Sequence, residues 1–323
     1  MPTSTDLRFC GFWPHATAET AGRHPVLPET GEPDELRRTV PPETGEPDDL
    51  RGTGRPAPAV VTVVPADLLL DGLTDERRLR EVGLHRDEDD ERSIGDLVAR
   101  QIEQADAVVL TGDLEDAWET EQLRTLLRRL APWAHHPRPG DVPAAARGRA
   151  EPVDAVGRGL RGYAVGVHEP VPSHGVSACV FRARRPFHPG RLHDALDEVT
   201  AGVLRSRGHF WLASRPDLVM TWESAGTLSI GPHSGWLAEL PREHWDEVDV
   251  ERRLAADLDW DPYYGDRHHQ LSFTGIDIDP VRLHRTLAGC LLTDDELSRG
   301  EEHWRRLPDP FRRAYPAPAV TEA

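Results

Sequence analysis

Histidines are the residues of this chain whose spacing first suggests metal chemistry. They include two adjacent pairs, His135 with His136 and His268 with His269. A zinc site needs three or four ligands that converge at ~2.0–2.3 Å, whereas adjacent residues of a strand point to opposite faces and supply one ligand per face. The three cysteines lie far apart and form no Cys-x-x-Cys pair. We therefore expect packed or surface histidines and no resident cofactor, with a weak zinc site that these four histidines assemble as the alternative.

A local concentration of positive charge is the second candidate. Residues 182–215 hold seven arginines against three acidic residues, although the whole chain has 56 acidic and 38 basic residues and a formal charge of −18. Aromatic residues interleave with these arginines, a pattern typical of surfaces that contact phosphate groups or RNA. The overall negative charge repels polyanions, so direct nucleic-acid binding is expected at this patch or not at all. The alternative is that these arginines pair with the acidic segment 243–261.

An aspartate at the end of a predicted strand is the third candidate. The apolar run 108–110 leads into Thr111, Gly112 and Asp113, and a GTPase places an aspartate at such a strand end to accept hydrogen bonds from guanine. The Gly-rich loop that cradles phosphates is absent, and so is its lysine, because all 38 basic residues are arginine. We interpret Asp113 as a vestigial nucleotide contact or a plain turn residue, and we expect no GTP or Mg²⁺ cofactor.

Catalysis by this chain has little support in its sequence. Ser214 and His209 could act as nucleophile and base, but no Gly-x-Ser-x-Gly turn is present. A Schiff base or a lysine general base is excluded because the chain has no lysine. We therefore expect a protein that is not an enzyme.

The elements that must position these residues follow two patterns. Residues 59–133 alternate apolar, β-branched runs with amphipathic helices, one of which begins after Ser93, and this rhythm predicts parallel strands with crossover connections. Two strands are too few for a stable doubly wound sheet. Residues 176–297 predict a compact α+β domain of short strands, Gly-rich turns and helices. The flanking segments are expected to be a disordered, repeat-bearing segment at 1–58, a linker at 134–175 and a tail at 298–323.

Motifs within residues 176–297 resemble the C-terminal domain of the CobW family and occur in the family's order. They are Arg184-Arg185-Pro186-Phe187-His188-Pro189, the stretch 208–217, Trp222-Glu223-Ser224-Ala225-Gly226, Gly265-Asp266-Arg267 and the stretch 291–296. Residues 59–133 resemble the second half of the family's GTPase domain through 60–64, 101–106 and 108–113. The resemblance implies an α/β fold class, in which an incomplete GTPase-like half-domain precedes the α+β domain.

The chain departs from the family in the parts that bind nucleotide and metal. The family's phosphate loop, switch regions and Cys-x-Cys-Cys motif have no counterpart in this sequence, and its Asn-Lys pair is replaced by Thr111 and Gly112. One alternative is therefore that the chain is a remnant of a GTPase, produced by truncation of the gene or by a misplaced start. The missing half of the sheet would then leave a strand edge unpaired at 59–64 or 108–110.

The resemblance also implies a role in zinc homeostasis. The family is associated with GTP-dependent delivery of zinc or another metal to client proteins. Within it, this chain is most similar to a branch from GC-rich bacteria that acts in zinc starvation and recruits a ribosome-hibernation factor. We therefore expect a non-catalytic adaptor whose partner is a hibernation factor, the ribosome or a zinc client protein. A GTP-dependent zinc metallochaperone is the alternative.

The resembling motifs also place the expected interaction surface. Recruitment of a partner needs exposed side chains and no hydrolysis, so the missing phosphate loop does not prevent it. No run of 18 apolar residues and no secretory signal pattern occurs in the sequence, so these contacts are expected in the cytoplasm and away from membranes. The residues expected to form or anchor the surface are Arg184, Arg185, His188, Arg191, Trp211, Arg215, Asp266 and Arg267.

Overall fold

The computed structural model describes residues 8–10, 60–87, 90–112, 114–141, 171–248 and 250–314, and within them the strands form two sheets. In chain order the strands are β1 (Arg8–Cys10), β2 (Val60–Pro65), β3 (Ala107–Thr111), β4 (Val176–Ala183), β5 (Val203–Leu212), β6 (Arg215–Ala225), β7 (Thr227–Gly235) and β8 (His269–Ile276). The α-helices are α1 (Leu69–Thr74), α2 (Ile94–Glu103), α3 (Ala117–Leu130), α4 (Pro189–Asp194), α5 (Leu196–Thr200), α6 (Val250–Leu258), α7 (Pro280–Cys290), α8 (Asp294–Ser298), α9 (Glu301–Trp304) and α10 (Phe311–Ala314).

The first sheet is parallel and has the order β1-β2-β3. Strands β2 and β3 are the two that the apolar runs predict. Strand β1 comes from the segment 1–58 that we expected to be disordered, and it runs along β2 with Arg8 opposite Val60. The remainder of that segment lies outside the described residues. Because β2 is paired on both sides, the open edge expected at 59–64 is covered. At the other edge of β3, the described residues contribute a bridge from His135 to Ala107.

Helices α2 and α3 follow the predicted apolar periodicity. Ser93 caps α2 by accepting a hydrogen bond from the amide of Asp96, whose carboxylate accepts one from the Ser93 amide. This reciprocal capping satisfies two amide groups that the first helical turn leaves without partners. The buried face of α3 is a leucine row that packs on the same core as α2. It consists of Leu123, Leu126, Leu127 and Leu130.

The second sheet is antiparallel and has the order β4-β8-β5-β6-β7. The short strands expected around 209–213, 218–223 and 228–230 are longer in the structure and join through tight turns. Aromatic side chains dominate the core between this sheet and its helices, and edge-to-face contacts hold them, such as Phe210 against Trp222 at 6.0 Å between ring centroids. The structure thus contains the α+β unit that the sequence predicts.

The two sheets share a core. Val176 and Ala225, from the second sheet, belong to the same buried cluster as the helices of the first. The Ser93 hydroxyl donates to the carbonyl oxygen of Ala225 at 2.8 Å. A Cβ at Gly95 would lie 2.6 Å from that same oxygen, so only glycine permits this approach. The parallel half-domain is therefore packed against the α+β unit rather than tethered to it.

Across the described ranges, none of the helices combines the length and the apolar character needed to cross a membrane.

Candidate functional site

The strand end that resembles a nucleotide site has a glycine where the family has lysine. Strand β3 ends at Thr111, whose hydroxyl lies 3.4 Å from the carbonyl oxygen of Val64. Gly112 follows with φ of 87°, a left-handed conformation that favours glycine. Asp113, the predicted vestigial guanine contact, lies outside the described residues.

The arginines predicted as a patch are instead partners in ion pairs. Six of the seven lie within 4.0 Å of a carboxylate. The pairs are Arg184 with Asp261, Arg185 with Asp294, Arg191 with Glu296, Arg205 with Glu103, Arg207 with Glu103 and Arg215 with Asp309. Of the acidic segment 243–261, expected to supply the partners, the described residues supply Asp261 alone, at 4.0 Å. The expectation of pairing is therefore confirmed, but its proposed source of carboxylates is wrong.

One buried pair joins helix α2 to the second sheet. Glu103, at the end of α2, is 7% exposed and accepts from Arg205 at 2.6 and 3.0 Å and from Arg207 at 2.7 Å. Arg205 also contacts Glu223 at 2.7 Å. Burial would raise the pKa of Glu103, but the charges of Arg205 and Arg207 outweigh it and hold that pKa below its usual value. Removing one partner would leave an uncompensated buried charge, which is strongly unfavourable.

A second buried pair closes the C-terminal end of the domain. Arg215 is 5% exposed and donates to Asp309 at 2.7 Å. The hydroxyl of Ser214 donates to the same carboxylate at 2.9 Å. Ser214 is thus a structural hydrogen-bond donor, and its contact with Asp309 leaves the imagined Ser214–His209 catalytic pairing without geometric support. Arg215 was expected on the interaction surface. It is not accessible to a partner, because it is buried and its guanidinium pairs with Asp309.

Two more residues of the expected interaction surface are buried. Trp211 is 1% exposed, and its indole donates to the carbonyl oxygen of Arg184 at 3.0 Å. Asp266 is 7% exposed and accepts from the amides of Leu237 and Ala238 at 2.8 and 2.9 Å. Both therefore shape the loops that end β5 and β7 as structural anchors, and neither side chain is exposed for contact with a partner.

The other expected contact residues are partly accessible but are already engaged. His188 caps α4 by accepting from the amide of Arg191, and burial lowers the pKa of its imidazole. Arg191 forms two bonds with Glu296, at 2.8 and 2.7 Å. This guanidinium holds the pKa of Glu296 at about 2. Arg267 donates to the carbonyl oxygen of Pro216 and pairs with Glu239.

Three histidines cluster at the start of β8. His269 is fully buried, donates from Nε2 to the carbonyl oxygen of Arg185 at 2.8 Å and accepts at Nδ1 from the amide of Trp211. Both of its ring nitrogens are therefore used. His268 donates from Nδ1 to the main-chain carbonyl oxygen of Asp266, because a carbonyl can only accept. Nε2 of the neutral His268 ring is therefore the acceptor for Nε2 of His209, at 3.0 Å. Burial lowers the pKa values of His209 and His269 to about 3, so both are neutral.

The four predicted metal ligands belong to two different sheets. His135 is exposed and its backbone bridges to β3, while His136 donates to the carbonyl oxygen of Ala131 at 2.9 Å. His268 and His269 stand at the start of β8. Nowhere in the described ranges do three or more histidine, cysteine or acidic side chains converge as a metal site would require. The residues present therefore do not fit a resident zinc ion.

Sequence reasoning missed the acidic halves of the buried pairs. Glu103 lies in the stretch 101–106, which resembles the family but does not indicate an ion pair, and Asp309 lies in a segment with no motif. Each meets an arginine more than ninety residues away. One local signal of a buried carboxylate is that Glu103 comes directly after Ile102, which belongs to the buried face of α2. A single carboxylate beside an apolar row is too common to identify a buried pair.

Comparison with known proteins shows that residues 176–291 match the family described as the cobalamin synthesis protein CobW C-terminal domain. A zinc chaperone of Mycobacterium tuberculosis is 44% identical over 144 residues, which cover 44% of this chain and 36% of the relative. Zinc-regulated GTPase metalloprotein activator 1 of Dictyostelium discoideum is 28% identical over 272 residues, which cover 78% of this chain and 56% of the relative. The chain thus matches 36% to 56% of the length of these curated relatives.

Among solved structures, the zinc-bound YjiA GTPase from Escherichia coli is similar with a TM-score of 0.31 and 16% identity, covering 72% of this chain and 61% of that chain. The predicted CobW C-terminal domain is confirmed by the family match. The relatives are a zinc chaperone and a zinc-regulated GTPase, as the alternative function expects. Neither of their names refers to ribosome hibernation.

Proposed function

We propose that this chain is a zinc-handling protein that directs zinc to client proteins through protein contact, in the manner of a CobW-type zinc chaperone. The observation that carries the proposal is the complete antiparallel sheet of residues 176–291, which match the CobW C-terminal domain. The names of the relatives, a zinc chaperone and a zinc-regulated metalloprotein activator, supply the metal and the class of task.

The proposed role does not include GTP hydrolysis by this chain. Phosphoryl transfer on a phosphate loop depends on a lysine that contacts the phosphates, and this sequence has no lysine. At the strand end where a GTPase of the family contacts guanine, Gly112 occupies the position of the lysine in the family's Asn-Lys pair. In this proposal the half-domain that contains the parallel sheet has a structural role. The buried Glu103–Arg205 ion pair attaches it to the CobW-type domain.

Zinc is the cargo in this proposal and not a structural ion. The imidazole of His135 is exposed, whereas both ring nitrogens of His268 are hydrogen-bonded, so zinc would reach Nε2 of His268 only by displacing His209. Such ligands suit a weak, exchangeable contact, because a tight zinc site needs three or four converging groups.

Two titrations test the proposal. Competition with a chromogenic chelator is expected to give reversible zinc binding with a Kd of about 1–10 μM. Replacing His135 and His268 by alanine is expected to weaken that binding, while the exposed His193→Ala variant serves as the matched control. Calorimetry with GTP and Mg²⁺ is expected to give no heat of binding. No zinc binding at about 100 μM would contradict the cargo role, and GTP affinity tighter than about 10 μM would contradict the non-catalytic role.

A further inference from the structure

An apolar row faces outward on the segment between β7 and β8. Val250, Leu254 and Leu258 are 67%, 51% and 71% exposed. They are spaced four residues apart on α6, which places them on one side of the helix. Tyr263, beyond the helix, is 67% exposed. Single exposed apolar residues are common on protein surfaces, but a row along one helix face marks an interaction site.

The other side of α6 is attached to the domain, which fixes the direction of the row. Ala256 is 7% exposed and supplies the buried contact. Arg252 donates to the carbonyl oxygen of Gly235, at the end of β7, and Arg253 donates to Asp246 at 2.8 Å. Rotation of the helix to bury the apolar row would move Ala256 out of its buried position and pull Arg252 away from Gly235.

Negative charge without partners surrounds this row. Residues 239–261 contain nine acidic side chains and three arginines, so their formal charge is −6. Glu243, Glu247, Asp257 and Asp259 are exposed. Among the residues that the structure describes, the ion pairs of segment 239–261 use Glu239, Asp246 and Asp261, and none of these four carboxylates pairs with a cation.

We propose that this region binds a basic amphipathic helix of a partner protein. The apolar residues of such a helix would pack on the row of α6, as facing helices pack in helix recognition, and its flanking arginines or lysines would face the free carboxylates. A second copy of this chain is disfavoured as occupant because it would bring the same negative charge. The α6 surface is defined as Val250, Leu254, Leu258, Glu243, Glu247, Asp257 and Asp259.

The test uses a defined probe and the full chain without added zinc, so its result is independent of the proposed zinc role. The probe is a fluorescent peptide of about 18 residues, long enough to form a helix, with leucine at helical spacing and arginine on both flanks. Anisotropy is expected to give a Kd on the order of 10 μM. Leu254→Glu and Leu258→Glu are each expected to weaken binding at least ~10-fold.

Matched controls separate the surface from general stickiness. Val281→Glu changes an apolar residue that is 66% exposed on α7, and it is expected to leave peptide affinity unchanged. Neutralising Glu247 and Asp257 with Glu247→Gln and Asp257→Asn is expected to reduce both the affinity and its dependence on salt. Circular dichroism confirms that each variant is folded, as expected for substitutions of exposed side chains.

Four outcomes would overturn the proposal. They are equal binding of a peptide with glutamate flanks, an equal loss of affinity in Val281→Glu, no binding of the arginine peptide at about 1 mM, and a dimer in sedimentation that Leu254→Glu dissociates. The last outcome would make a second copy the occupant.

Discussion

Two charged regions of this chain have opposite fates in the folded protein. Six of the seven arginines of residues 182–215 pair with carboxylates from distant segments, and Arg205 and Arg215 are buried with their partners. The acids of residues 239–261 keep at least four exposed carboxylates free among the residues that the structure describes. A positive patch in the sequence is therefore not a positive patch on the surface, whereas the acidic segment stays acidic after folding.

The largest expected effect tests the buried side of this comparison. Glu103→Ala would leave Arg205 and Arg207 with one shared carboxylate, Glu223, at the contact between the sheets. Breaking a buried pair costs about 3–5 kcal/mol, because the remaining charge is desolvated without compensation. Urea denaturation should show this loss in the free energy of unfolding. As control, Glu121→Ala, which removes an exposed pair with Arg124, should have little effect. A loss below about 1 kcal/mol for Glu103→Ala would refute the buried role.

The second buried pair allows a sharper version of the same test. Asp309→Leu should destabilise the protein by about 3 kcal/mol, since it removes the carboxylate that the buried Arg215 contacts at 2.7 Å. Adding Arg215→Leu should recover part of that loss, because an apolar pair carries no desolvated charge. A double-mutant cycle on the free energy of unfolding measures this coupling. Strict additivity of the two substitutions would show that the residues do not interact.

The buried histidines predict an acid-sensitive core. The folded-state pKa values of His209 and His269 are about 3, below the ordinary 6.5, because burial disfavours the charged ring. Unfolding therefore takes up protons below pH 6.5, and stability falls as the pH drops from about 6.5 towards 3. The slope should approach ~1.4 kcal/mol per pH unit for each histidine.

Denaturant unfolding at pH 7.5 and pH 5 measures this slope. His209→Gln should reduce it, whereas the exposed His193→Gln should leave it unchanged. A wild-type free energy of unfolding that stays constant between the two pH values would contradict the neutral, buried state of these rings.

The smallest expected effect belongs to the free carboxylates. Asp257→Asn should stabilise the protein slightly, by less than ~0.5 kcal/mol, since it relieves repulsion among neighbouring acids. The gain should vanish at high salt, where exposed charges are screened. Thermal unfolding at low and high salt provides the measurement. A clear destabilisation would reveal a cationic partner for Asp257 and would weaken the contrast between the two regions.

Much of the fold was predictable because its signals are local. The apolar runs predicted β2 and β3, and the cap at Ser93 predicted the start of α2. The family motifs predicted the CobW C-terminal domain that the comparison confirms. Strand β1 was not predicted, because Arg8–Cys10 has only three residues and is identified by its pairing with β2.

The candidate site was less predictable. Trp211 and Asp266 were expected on a surface because aromatic and acidic residues within motifs suggest contact, yet both are buried. Their roles depend on the carbonyl of Arg184 and the amide of Leu237, which folding brings near them from other segments. No spacing along the chain encodes such contacts.

The sequence by itself determined which chemistry this chain lacks and which local elements it forms. It contains no lysine for a phosphate loop. Its periodicity and capping residues specify helices and strands through signals that lie only a few residues apart along the chain. Only the tertiary structure decided which charges remain available. Glu103 meets Arg205 across 102 residues, while Glu243, Glu247, Asp257 and Asp259 meet no cation among the described residues. Electrostatic pairing acts through space at a few ångströms, so it is settled by the fold and not by neighbours in the chain.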